Sequence, residues 1–343
     1  MALIGGDYEL GILVSSSSPC DKTLDDLQYL LYTVYINSIY AGHNIRYHQT
    51  LLNGRTISQK IGRNRMKPIT KENFLAIRNA EGSHRKIFSE HSGIQKRKAF
   101  PTFSVNFPES IAPIYQAMTQ NHLVPNQKYG NYYHFLNSQE EIEVAEQWEK
   151  EMGNYVFLKD CLFTSIALDM NQTTTPQQTI APTKLGAMFK MLKYEVHPQG
   201  IEEGIYEKVT SELISTIKKL PFYKDAKYIA CVPPSPGKQV DIPSNLVQRI
   251  ADKLNLTNIT GGFSFSGKKE SAKNLSKDEK WDAWEQAGLK MNYDLNQKDV
   301  ILIDDLYQSG TTVNYTAMVL RRANAGRILG LYVVKSMRDT DNQ

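Results

Sequence analysis

The sequence has few cysteines and no long hydrophobic run, and each absence excludes a class of protein. Its three cysteines, Cys20, Cys161 and Cys231, lie far apart and lack the spacing of a metal site. We therefore expect no disulfide framework, and a reducing, cytoplasmic setting. No apolar run approaches the roughly 18 residues that cross a bilayer, so we expect no membrane partner. The N-terminal "MALIGGDYEL" lacks a basic region followed by a long apolar stretch, so we expect no signal peptide.

A strong net charge is also missing, but the charge is distributed unevenly. The chain of 343 residues carries 40 Lys and Arg against 36 Asp and Glu. Residues 41–100 hold 13 basic and 3 acidic side chains, an excess of +10. Such a segment predicts a polyanionic partner, namely nucleic acid or a ribonucleoprotein. A solvated surface that the acidic residues 139–151 neutralise explains the same charge, and both interpretations stay open.

The length predicts about two domains. Residues 171–182, "NQTTTPQQTIAP", are polar and Pro-containing, so we predict a linker there between an N-terminal domain, 1–170, and a C-terminal domain, 183–343. The N-terminal domain is predicted to be α/β or α+β, with a first strand in "YELGILVSSSS" and a helix over about 24–40. A second helix is predicted to start at Ser138 and to stop at Gly153.

The C-terminal half alternates predicted strands and helices. Helical spacing runs through 205–219, and a second helix is predicted after Ser244 as its cap. The strands are "YIACVPPS", "DVILIDDL" and "RILGLYVVK", and a third helix is expected over 313–324. This order predicts a doubly wound parallel sheet.

The strand 300–303 ends in two acidic residues and a small polar turn. In an open parallel sheet, ligands bind beyond the carboxyl ends of the strands. Asp304 and Asp305 can accept hydrogen bonds from two hydroxyl groups or hold a cation, directly or through water. The turn Gln308, Ser309, Gly310, Thr311 and Thr312 leads into a predicted helix N-terminus, which favours a phosphate. Together these features predict a site for ribose 5-phosphate.

This stretch resembles the motif with which type I phosphoribosyltransferases bind phosphoribosyl pyrophosphate (PRPP). The resemblance implies that the acidic pair Asp304 and Asp305 holds the ribose hydroxyls as the catalytic residues, and that residues 308–312 bind the 5-phosphate. Tyr307 stands where the family has an aliphatic residue. Gln308 stands where the purine branch can place a proton-accepting Asp, so the resemblance does not extend to that mechanism.

Other stretches are similar to the ComF-like branch of the family, over about residues 183–337. They are "FKMLKYEVH", "CVPPSPGK" after a strand, and the basic stretch 267–292. The resemblance implies a pyrophosphate site, and its expected residues are Pro234, Ser235, Gly237, Lys238, Lys268 and Lys269. The four-cysteine zinc module that often precedes ComF domains is missing from this sequence.

The resemblance implies a transferase that binds Mg²⁺ and PRPP, or a related nucleotide, and passes phosphoribosyl to an acceptor. The sequence is compatible with a homodimer, and the unfamiliar basic N-terminal region suggests a bacterial defence or toxin-type system. The alternative is a non-catalytic nucleotide sensor or nucleic-acid-associated module with the same fold.

Two further interpretations compete for the acidic strand. It would be the Walker B strand of a nucleotide-hydrolysing protein if Gly262, Gly267 and Lys268 formed a phosphate loop, although Lys269 replaces the required Ser or Thr. The two aspartates could also simply cap the edge of a sheet.

Overall fold

A computed structural model gives the fold and describes residues 2–6, 9–13, 68–79, 88–89, 93–95, 101–105, 109–126, 131–233, 241–267 and 275–337. The chain divides into two compact units, Met1–Asn64 and Arg65–Gln343. In the first unit, the described part is an antiparallel hairpin of β1 (Ala2–Gly6) and β2 (Glu9–Leu13). The helix predicted over 24–40 lies outside the described residues.

A seven-stranded sheet forms the centre of the second unit. In spatial order its strands are β13 (Thr257–Asn258), β12 (Tyr228–Cys231), β16 (Val300–Tyr307), β17 (Ile328–Lys335), β9 (Thr164–Met170), β8 (Val156–Leu158) and β3 (Phe88–Ser89). The first five strands are parallel to one another, and β8 and β3 pair antiparallel at one side. The predicted α/β architecture with a mainly parallel sheet is therefore present.

Among the described residues of this unit, three smaller sheets accompany it, and all three are antiparallel. One has four strands, β4 (Gly93–Gln95), β5 (Thr102–Val105), β7 (Asn131–Phe135) and β6 (Val124–Asn126), in that spatial order. The hairpins are β10 (Gln172–Thr174) with β11 (Ile180–Pro182), and β14 (Phe263–Phe265) with β15 (Leu289–Met291).

The structure differs from the predicted domain boundary at 171–182. These residues form the β10–β11 hairpin, in which Thr175 and Thr179 close the turn with a hydroxyl–hydroxyl contact of 2.7 Å. The main sheet also runs across the boundary, because β9 lies before it in the chain and pairs with β17, which lies after it. Residues 65–170 therefore belong to the same compact unit as residues 183–343.

Helices cover both faces of the main sheet. They are α1 (Lys71–Arg78), α2 (Ala112–Thr119), α3 (Gln139–Met152), α4 (Lys184–Tyr194), α5 (Gln199–Lys219), α6 (Ile242–Leu254), α7 (Lys277–Gln286) and α8 (Thr311–Arg322). Ile301 and Ile303 of β16 share a core with α5 and α6, whereas Val300 and Leu302 share a second core with α7 and α8. Burial on both faces explains the unbroken apolar run that precedes Asp304.

The helix boundaries follow the capping residues. The Ser138 hydroxyl accepts from the Glu141 amide at 3.1 Å and α3 ends before Gly153, as predicted. The prediction that Ser244 caps α6 is wrong: Asp241 is the cap, and both the amide and the hydroxyl of Ser244 donate to its carboxylate. None of the helices that the structure describes combines the length and apolar character that a membrane crossing requires.

Candidate functional site

The candidate site lies where β12 ends at Cys231 while its neighbour β16 continues to Tyr307. Cys231 pairs with Ile303 in parallel register, and the Val232 amide donates to the Ile303 carbonyl at 3.1 Å. Asp304 and Asp305 therefore lie beside the chain that leaves β12. β16 lies between β12 and β17, but its pairing with β12 stops at Ile303, so in the described residues Asp304 and Asp305 stand on a stretch of β16 that pairs with β17 alone.

The two carboxylates of the pair have different surroundings. Asp304 is half-buried, and its Oδ1 accepts from the Asp305 amide at 2.9 Å. The Asp305 side chain is 10% exposed, and its Oδ2 accepts from Lys193 Nζ at 2.8 Å. Sequence reasoning assigned no role to Lys193, which stands in the last turn of α4. Its only sequence signal was the "LKY" triplet, 112 residues before Asp305.

Burial and charge act against each other at this pair. Burial, and then the negative charge of Asp305, raise the pKa of Asp304 well above its ordinary range, while Lys193 opposes that rise. Burial also disfavours the charge of Lys193, but its attraction to Asp305 outweighs burial and raises the pKa of the ammonium. The pair therefore favours a ligand that donates hydrogen bonds or brings positive charge.

The polar turn leads directly into a helix, as predicted, although α8 begins at Thr311 and not at Val313. Gly310 is the N-terminal cap with φ of +80°, a left-handed conformation that glycine adopts without strain. The hydroxyls of Ser309 and Thr311 lie 3.1 Å apart and are buried. The first N–H groups of such a helix lack intrahelical acceptors and favour an anion.

Tyr307 supports this turn. A methyl group on Gly310 would overlap the Tyr307 hydroxyl, so the ring packs directly on the turn. The same hydroxyl donates to Asp160 Oδ2 at 3.2 Å. Asp160 also accepts from the Leu162 amide at 3.0 Å and from the Ser165 hydroxyl at 2.7 Å.

Asn314 forms a second connection between the turn and the segment that joins β8 to β9. Its Nδ2 donates to the Gly310 carbonyl at 2.8 Å, and its Oδ1 accepts from the Cys161 amide at 3.0 Å. Asn314 is fully buried. The turn Gln308–Thr312 is therefore held by residues of a segment that the sequence placed in another domain.

A cavity of about 710 Å³ opens at the same edge of the sheet. Pro233, which follows β12, lines the cavity. Two aromatic rings and three carboxamide side chains also line it: Phe263, Phe265, Asn245, Gln248 and Asn258. The volume lies within the range of pockets that take nucleotide-sized ligands.

The remaining predicted site residues are outside the described residues. They are Pro234, Ser235, Gly237, Lys238, Lys268 and Lys269. Of the basic segment 41–100, Lys71 and Arg78 are described: Lys71 pairs with Asp278 and Asp282, and Arg78 lies near Asp160. The predicted nucleic-acid surface stays a prediction.

The phosphate loop that a Walker B interpretation requires is contradicted by the structure. Gly262 ends a short 3₁₀ turn, Thr260–Gly262, and β14 follows it immediately. The Gly267 amide donates to the Ala287 carbonyl and so extends the β14–β15 hairpin. A phosphate loop would need a glycine-rich loop that leads into a helix after Gly262, whereas strand β14 follows Gly262.

The carboxylate oxygens of Asp304 and Asp305 are the kind of ligand that Mg²⁺ prefers. Among the described residues, no group of three or more His, Cys, Asp or Glu side chains could hold a metal ion. Mg²⁺ commonly needs only one or two carboxylates when substrate phosphates complete its coordination. Asp304 and Asp305 therefore fit Mg²⁺ together with a phosphorylated ligand.

No family model matches the sequence, and no curated protein matches it. The solved structures that match include adenine phosphoribosyltransferase from Trypanosoma brucei in complex with AMP, pyrophosphate and ribose-5-phosphate. The identity is 13%, the TM-score is 0.28, and the match covers 49% of this chain and 86% of that chain. At this TM-score the likeness bears on neither the activity nor the site of this chain.

Proposed function

We propose that this chain binds Mg²⁺–PRPP, or a related ribose 5-phosphate nucleotide, and transfers the phosphoribosyl group to an acceptor. The observation that carries the proposal is the continuous geometry from Asp304 to Thr311. Two carboxylates just beyond the point where β12 ends are followed by the last two residues of β16, Leu306 and Tyr307, and then by a turn whose glycine starts a helix. A hydroxyl acceptor next to a phosphate cradle suits a ribose that carries a 5-phosphate.

In this proposal Asp304 and Asp305 accept hydrogen bonds from the ribose hydroxyls. The turn Gln308–Thr312 and the first N–H groups of α8 bind the 5-phosphate. The pyrophosphate would contact the predicted residues around Pro234–Lys238 and Lys268–Lys269. Bound Mg²⁺ supplies positive charge that offsets the charge of the leaving pyrophosphate.

The reaction is a substitution at the anomeric carbon of the ribose. The bond from C1 to the pyrophosphate oxygen breaks, and pyrophosphate leaves with the electron pair. A nucleophilic atom of the acceptor forms the new bond to C1 and loses its proton. The sugar passes through a cation-like state, so the protein contributes chiefly by positioning and electrostatics. The amide of Gln308 cannot accept the acceptor's proton.

Calorimetry with Mg²⁺–PRPP, combined with an assay of pyrophosphate release, tests the proposal. We expect the variant with Asp304→Asn and Asp305→Asn to lose pyrophosphate release and to bind at least about tenfold more weakly, since each amide replaces a charged acceptor. The matched control carries Asp225→Asn and Asp252→Asn, which remove two exposed carboxylates elsewhere on the second unit.

The outcomes separate the functions. Release by the wild type and the control, but not by the site variant, supports the transferase. Binding without release in the wild type supports the alternative, a nucleotide sensor. Equal binding and release by the site variant and the wild type would contradict the proposed site.

A further inference from the structure

Lys193 is the cation that the fold itself brings to the acidic pair. Its Nζ lies 2.8 Å from Asp305 Oδ2, and the two side chains are 35% and 10% exposed. In the described part of the chain, Oδ1 of Asp305 has no hydrogen-bond partner, so the Lys193 contact occupies one oxygen and leaves the other.

The position of Lys193 is fixed by the packing of α4. Thr183 caps this helix: its hydroxyl accepts from the Gly186 amide at 2.9 Å and donates to the Met170 carbonyl at 2.6 Å. A side chain on Gly186 would overlap the backbone of Asn171, so helix and strand end are in close contact. The start of α4 is thus anchored to the end of β9.

The ammonium group is also held within its own helix. Lys193 Nζ lies 5.0 Å from the centre of the Phe189 ring, one turn earlier, and that ring is buried. Attraction between a cation and a ring face adds to the ion pair. Lys193 is therefore placed at Asp305 by two interactions, in contrast to Lys190, whose side chain is 64% exposed.

Charge at the pair decides what it can bind. Two adjacent carboxylates repel a phosphorylated sugar and attract a divalent cation, and a fixed ammonium group reduces both effects. An Asp305 oxygen that is already paired with Lys193 is a poor ligand for a metal, but the second oxygen can still accept from a hydroxyl.

We infer that Lys193 is a specificity-determining residue, which makes Asp305 a hydroxyl acceptor and lets the ribose 5-phosphate moiety bind without a divalent cation. Mg²⁺ would then accompany the pyrophosphate and not the sugar. The inference rests on the proposed function, because it concerns the same ribose site.

Calorimetry with ribose 5-phosphate in the presence of a chelator, and with Mg²⁺ alone, tests the inference. We expect Lys193→Met to weaken the binding of ribose 5-phosphate in the presence of the chelator by about tenfold. It should strengthen Mg²⁺ binding, because no ammonium group then offsets the charge of Asp305. Lys193→Arg keeps the charge and should bind ribose 5-phosphate within a fewfold of the wild type. Lys190→Met is the matched control on the same helix and should change neither affinity.

A purely structural ion pair would behave differently. Its loss in Lys193→Met would lower the stability of the protein but would not shift the affinities for ribose 5-phosphate and for Mg²⁺ in opposite directions. That result would overturn the inference. Wild-type protein that binds Mg²⁺–PRPP but no ribose 5-phosphate under chelation would also overturn it and would leave the proposed function intact. Wild-type protein that binds neither ligand would instead refute the proposed function.

Discussion

Asp160 is a buried carboxyl whose charge is stabilised by hydrogen bonds from three donors. Its side chain accepts from the Leu162 amide, the Ser165 hydroxyl and the Tyr307 hydroxyl, and it is 3% exposed. Burial raises its pKa to about 6, although these hydrogen bonds and the nearby Arg78 oppose the rise. The carboxyl group that contacts Tyr307, beside the turn 308–312, therefore titrates in an accessible pH range.

We expect the stability of the protein to depend on the protonation of Asp160. Between its ordinary pKa of 3.8 and about 6, the folded state binds more protons than the unfolded state. The free energy of unfolding should therefore fall by about 3 kcal/mol as the pH rises through this window and stay constant above it.

Urea unfolding of the wild type and Asp160→Asn from about pH 4 to about pH 7.5 measures this effect. The difference between the two proteins cancels the other titrating groups. As the pH rises to about 6, the variant should become more stable relative to the wild type, because its amide stays neutral while Asp160 of the wild type loses its proton. A difference that does not change with pH would show that Asp160 titrates in the folded protein as it does in the unfolded chain.

The sequence predicts the candidate site residues that are contiguous and gives no role to those that other parts of the chain bring to the same place. Asp304, Asp305 and the turn were predicted because strand, acids and helix start follow one another. Lys193 and Asp160 lie 112 and 147 residues from their partners in the site. Asp160 belongs to no local pattern, and the "LKY" triplet assigns no role to Lys193, so the packing of α4 and of the segment before β9 is what identifies them.

At the level of elements, periodicity predicted the helices well, and capping chemistry decided their ends. The spacing of Ile205, Val209, Leu213 and Ile217 identified α5, and all four residues are buried. α6 began earlier than predicted because Pro243 fits the first turn of a helix and Asp241 supplies the cap. Serine and aspartate are both common helix caps, so the sequence alone could not decide between Ser244 and Asp241.

The start of α8 requires a left-handed backbone conformation at Gly310. Gly310 has φ of +80°, and a methyl group on it would overlap the Tyr307 hydroxyl. We expect Gly310→Ala to lower the free energy of unfolding by at least about 2 kcal/mol through strain and overlap. It should also abolish binding of ribose 5-phosphate, because the turn that is proposed to bind the phosphate must move.

Gly204→Ala is the matched control for this variant. Gly204 lies within α5, is exposed, and has open space around the position of a methyl group. This change should raise the free energy of unfolding by about 0.5 to 1 kcal/mol, since alanine favours a helix. Urea unfolding and calorimetry compare the two variants, and a Gly310→Ala protein that binds like the control would contradict the assigned role of the turn.

At the level of the whole molecule, composition gave a misleading domain boundary. Residues 171–182 have the Thr-, Gln- and Pro-rich composition of a linker, yet they close a hairpin between β9 and α4. The pairing of β9 with β17 joins residues such as Ile166 and Leu331, which no local pattern connects. Pairing between strands so far apart in the sequence depends on the burial of both strands, and the residues around either strand do not predict it.

The extent of the second unit predicts how fragments of the chain will behave. A fragment of residues 183–343 lacks β9 and β8, so β17 would become an edge strand with its buried side chains and unpaired backbone exposed. We expect this fragment to aggregate or to unfold without a cooperative transition, and residues 65–343 to unfold cooperatively. Circular dichroism with urea and size-exclusion chromatography distinguish the two. A stable, monomeric 183–343 fragment would show that the predicted boundary, and not the shared sheet, marks the folding unit.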